Sequence, residues 1–281
     1  MADALARAGH GVTLLETDGP GTAGEIARQR IEAGSDLILA LGGDGTLNEL
    51  LPGVVHTDIP LGVIPAGTAN VLARETGLGC DALAAVRRLA ECVPVRVPLG
   101  VLCSEPGAQP RYFLLMAGAG IDGRIVYEMS LPLKAKVGQL AYWVSSVRAF
   151  LSRLDEFPVE VNGQSFLCSF ALVSRVRNYA GYLQIARHAS LLDPDFEVVL
   201  FEGRSAPRHY LKYLASAVAG TTSNVRGRSF LRAHSVSFPD PVGAPLRIQV
   251  DGEYAGRLPA TVRIEPDAVT LLVPPEYAKR P

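Results

Sequence analysis

Short apolar runs alternate with helically spaced stretches over the first third of the chain. Residues 2–8 have helical spacing and stop at Gly9 and Gly11. Residues 12–15 read as a strand, and 22–33 as a helix closed by Gly34. The run 37–41 is a second strand, and 47–55 is helical, with Pro52 a kink or early stop. Residues 61–64 are a further strand, and 69–76 and 82–92 are helices. Brief apolar strands alternating with helices of about ten residues predict a parallel sheet of βαβ units over residues 1–96.

From about Val97 the rhythm changes. Strand-like segments at 111–116, 157–161, 166–174, 182–186, 196–201, 229–238, 246–250 and 269–273 are separated by turn residues. Asn162-Gly163, between two of them, is a strong hairpin signal. The expectation for 97–281 is an antiparallel β-sandwich, with its last strand able to pack back on the first domain. Two helical stretches interrupt it. Val137, Leu140, Val144, Val147, Leu151 and Leu154 form one apolar stripe, read as core packing with a lipid entrance as the alternative, and 210–218 is the second. Tyr142 and Trp143, beside the stripe, are candidates for a membrane interface.

The chemistry concentrates where two strands end. The 37–41 run leads into Gly42-Gly43-Asp44-Gly45-Thr46-Leu47-Asn48-Glu49, and 61–64 into Pro65-Ala66-Gly67-Thr68-Ala69-Asn70. A glycine-rich turn between strand and helix lets the main chain approach a phosphate and offer it backbone N–H groups. Parallel sheets bind ligands beyond the carboxyl ends of their strands, so the two turns are expected to converge on one ligand, a nucleotide phosphate. Gly118-Ala119-Gly120-Ile121-Asp122-Gly123 spells a dinucleotide fingerprint but is read as a decoy. That fingerprint needs a helix immediately after it, whereas Pro132 and a strand-rich region follow.

Composition narrows the class. The chain has 281 residues, 48% of them apolar, and a net charge of −1, which argues against disorder and against a nucleic-acid-binding polycation. The four cysteines form no C-x-x-C pair and the five histidines show no ligand spacing, as expected for reduced thiols in a cytoplasm. No apolar run reaches the roughly 18 residues of a membrane span, so membrane contact is expected to be peripheral.

Taken in order, these motifs resemble the catalytic domain of diacylglycerol kinase-like lipid kinases, which include bacterial diacylglycerol kinases, YegS-type lipid kinases and sphingosine kinases. The resemblance rests on Gly43–Glu49, on Pro65-x-Gly67-Thr68-x-Asn70 closing with Ala73-Arg74, and on Gly118-x-Gly120-Ile121-Asp122. Asp193-Pro194-Asp195-Phe196-Glu197-Val198-Val199 and Asp251-Gly252-Glu253 continue it. The set spans residues 17 to 273. Three departures stand out: the family's opening strand with its Asn-Pro-x-x-Gly turn is absent, Val71 stands where many bacterial members have Asp, and Pro194 replaces a Gly. The first implies a truncated or mis-started version of a longer kinase.

The resemblance implies ATP-dependent phosphorylation of a lipid hydroxyl at the inner membrane face by a cytoplasmic enzyme, with a homodimer as an open option. Diacylglycerol is the first candidate acceptor; a sphingoid base and phosphatidylglycerol are others. Asp44 would hold Mg²⁺, and Glu253 would be the general base. Thr17, Gly42, Gly43, Asp44, Gly45, Thr46, Asn48, Glu49, Gly67, Thr68 and Asn70 would surround ATP. Asp122 would meet the lipid headgroup, and Asp193 and Asp195 a structural magnesium ion, partly through backbone carbonyls. Two alternatives stay open: an NAD kinase-like phosphotransferase, which shares the Gly-Gly-Asp-Gly turn, and a non-catalytic nucleotide-binding regulator.

Overall fold

The computed structural model describes residues 2–7, 9–104, 109–130, 155–179, 183–202, 228–241 and 246–280. The chain divides into two compact units, Met1–Leu99 with Pro266–Pro281, and Gly100–Glu265. The 137–154 stripe with Tyr142 and Trp143, and the 210–218 helix, lie outside the described residues.

The first unit is an α/β layer. Helices α1 (Ala2–Arg7), α2 (Ala23–Glu32), α3 (Asp44–Val54), α4 (Val71–Thr76) and α5 (Ala82–Leu89) accompany strands β1 (Ile38–Gly42) and β2 (Leu61–Pro65). β1 and β2 are parallel, with Gly42 opposite Pro65 at their ends. Parallel pairing puts both following turns on one edge of the sheet. Strand β3 (Val93–Cys103) comes next in the chain. Leu5, Ile64, Val86 and Leu89 make an apolar cluster between helices α1 and α5 and strand β2.

Two expectations fail here, each for a local reason. Residues 11–17 form no strand, and Val12, Leu14 and Leu15 are exposed. Apolar content does not make a strand without a ladder partner, and none of the described strands pairs with this run. Helix α3 begins at Asp44, three residues earlier than the periodicity indicates, because Gly43 caps it and its carbonyl accepts Leu47 N–H at 3.2 Å. It also runs past Pro52 to Val54. Proline in the last turn removes only one ladder bond.

The second unit is an antiparallel β-sandwich. It contains β4 (Arg111–Phe113), β5 (Met116–Gly120), α6 (Ile121–Ser130), β6 (Phe157–Val161), β7 (Gln164–Ser174), β8 (Asn178–Tyr179) and β9 (Leu183–Gln184). It continues with β10 (Phe196–Glu202), β11 (Arg228–Ala233), β12 (Ser235–Phe238), β13 (Arg247–Val250) and β14 (Glu253–Arg257). The unit division falls within β15 (Ala260–Val273), whose far end pairs with β2 in parallel, Leu271 opposite Leu61. The short helix α7 (Pro275–Ala278) follows. Phe113, Phe157, Val159, Phe196, Val198 and Phe238 lie in one buried apolar cluster.

Asn162 and Gly163 both take positive φ and join β6 to β7 in a two-residue turn, with Val161 opposite Gln164. Asp251 and Gly252 do the same between β13 and β14. The expected single strand over 111–116 is broken into β4 and β5. Its break coincides with three backbone N–H groups, of Leu114, Leu115 and Met116, that donate to the Asp251 carboxylate at 2.9 Å each. The expected 229–238 strand changes neighbours at His234, from β10 to β15 and β6.

Candidate functional site

In the first unit the two strand-end turns touch. A Cβ built on Gly67 would stand 2.4 Å from Gly43 Cα, so any side chain there would drive the two backbones apart. Ala66 N–H donates to Gly42 O at 2.9 Å. Asp44 completes the lock: its carboxylate oxygens accept Val71 N–H at 3.0 Å and Leu72 N–H at 3.3 Å, capping helix α4 from the first turn of α3. Val71 thus supplies a backbone donor to Asp44. Burial pushes the Asp44 carboxyl above its ordinary value, while these two donors and the Arg74 charge pull it down.

Asn70 sits in the left-handed region and closes its loop on itself. Its Oδ1 accepts Gly67 N–H at 2.9 Å and its Nδ2 donates to Gly67 O at 2.8 Å. Thr68 is left exposed at the tip. The side chain of Thr46 lies against Gly42, and Asn48 is buried one turn into α3. Glu49 turns the other way, accepting Gly21 N–H at 2.8 Å and so fixing the turn that follows exposed Thr17. Residues 42–46 and 67–70 therefore lie side by side at one end of the β1–β2 pair, beside the first N–H groups of α3, which have no intrahelical acceptor. Gly43 receives no side-chain cap.

In the second unit Glu253 leaves the Asp251-Gly252 turn at the start of β14. Its Oε2 accepts Arg111 Nη2 at 2.7 Å, and Arg111 Nη1 donates to Tyr254 O at 2.8 Å. Three side chains behind the turn hold it. Gly252 N–H donates to Gln249 Oε1 at 2.8 Å, and Gln249 Nε2 donates to Asp122 Oδ2 at 2.7 Å. The Tyr179 hydroxyl donates to Asp122 Oδ1. Asp122, expected at a lipid headgroup, is 1% exposed, and both of its oxygens are engaged inside the unit.

The helix that the Gly118–Gly123 segment was expected to lack is present, as α6. The segment nonetheless lies in an antiparallel ladder, β5 between β7 and β13, rather than in a βαβ unit. A Cβ on Gly118 would fall 1.6 Å from Asp122 Oδ2, so this glycine makes room for the buried acid. Sequence reasoning missed Arg111, Tyr179 and Gln249. Only Gln249 left a signal, as an amide inside the apolar run Ile248-Gln249-Val250.

Burial pushes the Asp122 carboxyl up, and its bonds from Tyr179 and Gln249 pull it down, with burial prevailing. A carboxyl raised in the folded state binds its proton more readily there than in the unfolded chain. Its stabilising contribution is then full below the unfolded value and is lost as pH rises through the folded one. Asp122→Asn removes that loss and keeps an oxygen for Gln249. Denaturant unfolding should show the variant gaining on the parent as pH rises from about 4 to 8. A difference that stays constant with pH would contradict this assignment.

Asp193 and Asp195, expected at a structural magnesium site, are both ion-paired with Arg232, whose Nη2 lies 2.6 Å from Asp193 Oδ2. Asp193 Oδ2 also accepts Ser190 N–H at 3.2 Å. Among the described residues no group of three or more His, Cys, Asp or Glu side chains could hold a metal ion.

Residues 1–102 match the diacylglycerol kinase catalytic domain, and residues 116–273 match the YegS C-terminal NAD kinase beta sandwich-like domain. The chain belongs to the diacylglycerol kinase-like lipid kinase family. It is 30% identical over 262 residues to the diacylglycerol kinase of Staphylococcus carnosus (strain TM300), covering 91% of this chain and 82% of that one. It is 29% identical over 259 residues to the diacylglycerol kinase of Bacillus subtilis (strain 168), covering 90% and 82%. A crystal structure of a diacylglycerol kinase from Bacillus anthracis str. Sterne has a TM-score of 0.77 at 21% identity, covering 98% of this chain and 90% of that one. That likeness supports the fold. No helix among the described residues is long and apolar enough to cross a membrane.

Proposed function

We propose that this family member transfers the γ-phosphoryl group of ATP to a hydroxyl of a membrane lipid, with diacylglycerol as acceptor. The observation that carries the reading is the pair of glycine turns locked together by Asp44. They form a backbone-lined cradle at the N-terminus of α3, suited to polyphosphate. The acceptor follows from the name borne by the curated relatives.

In this reading the N–H groups of residues 44–46 and the hydroxyls of Thr46 and Thr68 hold the phosphates. Mg²⁺ would offset the charge of ATP there. One carboxylate with spare lone pairs on both oxygens suits an ion held mostly by phosphate and water. Glu253 accepts the hydroxyl proton as the oxygen–γ-phosphorus bond forms and the bond to the β-phosphate oxygen breaks, releasing ADP. In a loose transition state the proton leaves late, so orienting the carboxylate matters more than its basicity. Arg111 and the Gly252–Gln249–Asp122 chain supply that orientation. With no spanning helix among its described residues, the enzyme would meet its acceptor peripherally, at the inner membrane face.

Radiolabelled ATP, offered with vesicles of diacylglycerol, a sphingoid base or phosphatidylglycerol and with NAD, tests the reading. Label should pass to diacylglycerol. Label in NAD alone, or nucleotide binding without transfer, overturns it. Gly67→Ala tests the cradle separately. The new methyl meets the Gly43 main chain at 2.4 Å and Asn70 Oδ1 at 3.0 Å, and overpacking of this kind costs about 1–3 kcal/mol. ADP affinity by calorimetry should fall about tenfold or more. Unchanged affinity would place the nucleotide elsewhere.

A further inference from the structure

The turn leading into β10 and the start of that strand carry three acids, Asp193, Asp195 and Glu197, within five residues. Glu197 is 2% exposed, and its Oε2 accepts His188 N–H at 2.7 Å. Opposite it on the β10–β11 ladder stands Arg232. The ladder therefore delivers the guanidinium to the turn from a fixed backbone position. Its Nε donates to Asp195 Oδ2 at 3.1 Å, its Nη2 to Asp193 Oδ2 and Asp195 Oδ1, and its Nη1 to His188 O at 3.1 Å. A planar fork that reaches two carboxylates and a carbonyl uses all three of its nitrogens.

Three other carbonyls of the turn have partners of their own. Arg175, fully buried, donates to Leu191 O at 2.5 Å and to Asp193 O at 3.4 Å. His234 Nδ1 lies 3.2 Å from Pro194 O. We infer that Arg232 is the resident cation of this turn, standing where a divalent metal ion would otherwise neutralise Asp193 and Asp195. The turn is thus built without Mg²⁺. A magnesium ion needs about six oxygens at roughly 2.0–2.1 Å, and here it would have to displace Arg232 and share the turn with buried Arg175. Pro194 fits such a turn, since a ring-fixed backbone holds the two flanking acids toward the guanidinium without help from an ion. The inference is independent of the reaction proposed above.

Thermal unfolding of nucleotide-free protein in EDTA and in millimolar Mg²⁺ tests it. An ion bound at a hundred times its dissociation constant would raise the melting temperature by about 5–10 °C. The unmodified chain should melt alike in both buffers. Arg232→Gln uncovers the two carboxylates, so it should melt lower in EDTA and recover part of the difference with Mg²⁺. Arg232→Lys, which keeps the charge and loses the fork, should fall between. A Mg²⁺-dependent rise in the unmodified chain that disappears in Asp193→Asn overturns the inference, as does an Arg232→Gln variant that melts like the parent. Mn²⁺ titration of the unmodified chain, followed by electron paramagnetic resonance, gives a readout that needs no arginine variant. It should reveal no tight site that Asp193→Asn removes, and finding one overturns the inference.

Discussion

Asp44→Asn is expected to lower turnover by about 10²–10³-fold, the cost typical of removing one preorganised electrostatic group. The substitution keeps the size of the side chain and removes its charge. In the parent, both oxygens accept backbone N–H groups from the start of α4. In the variant one position becomes an amide nitrogen facing a donor, so either the Val71 or the Leu72 N–H loses its partner. An unsatisfied buried donor costs about 1–3 kcal/mol, and the melting temperature should fall by several degrees. On the function proposed above, the turnover loss should exceed what that loosening explains, because the negative charge that would steady Mg²⁺ beside the phosphates has gone too. Raising the Mg²⁺ concentration should recover little of kcat. Steady-state kinetics and thermal unfolding of the same preparation separate the two parts. A variant that melts lower yet turns over normally would reduce Asp44 to a structural cap.

Burial also sets a pH dependence for the parent enzyme. Without metal the Asp44 carboxyl is held above its ordinary value, so kcat/KM, which reports the free enzyme, should fall on acidification at a higher pH than an exposed aspartate would produce. In Asp44→Asn that acid limb should disappear from whatever activity remains.

What the sequence revealed and what it hid follow from the range of the interactions. Gly42-Gly43 closes one short apolar strand and Gly67-Thr68 follows another, and the parallel β1–β2 pairing, legible from the alternation of helix and strand, brings them to one edge. Asn162-Gly163 and Asp251-Gly252 announced their turns because a two-residue loop with positive φ at both positions is a local demand on residue type. The Asp44 lock was not legible. Its partners lie 27 and 28 residues away and are backbone N–H groups, which leave no mark on side-chain pattern. Arg232 was equally hidden, since an arginine 37 residues beyond Asp195 looks like any other charge on an outer strand. The run 12–15 misled in the opposite sense: it has the composition of a strand, and pairing, which composition does not encode, is what it lacks.

Glu253→Gln should abolish most of the chemistry and leave the rest of the molecule alone. Glutamine has the same length and shape, and its Oε1 can still accept from Arg111, so the turn and β14 keep their places. The Arg111–Glu253 pair is about one-third exposed on both sides, at 34% and 35%, and exposed pairs of this kind contribute roughly 0–1 kcal/mol. The melting temperature should therefore move by only about 2–3 °C. The amide cannot take the acceptor's proton, and general-base assistance is typically worth about 10²–10⁴ in rate. kcat should fall by that factor while ADP affinity stays at the parent value, because the cradle in the first unit is untouched. Gln249→Leu supplies the contrasting case. It leaves Glu253 in place but cuts the tie from Gly252 to Asp122, so kcat should drop less, about tenfold, through lost orientation. If Glu253→Gln turned over at the parent rate, the proton would have another acceptor and Glu253 would serve only to hold Arg111.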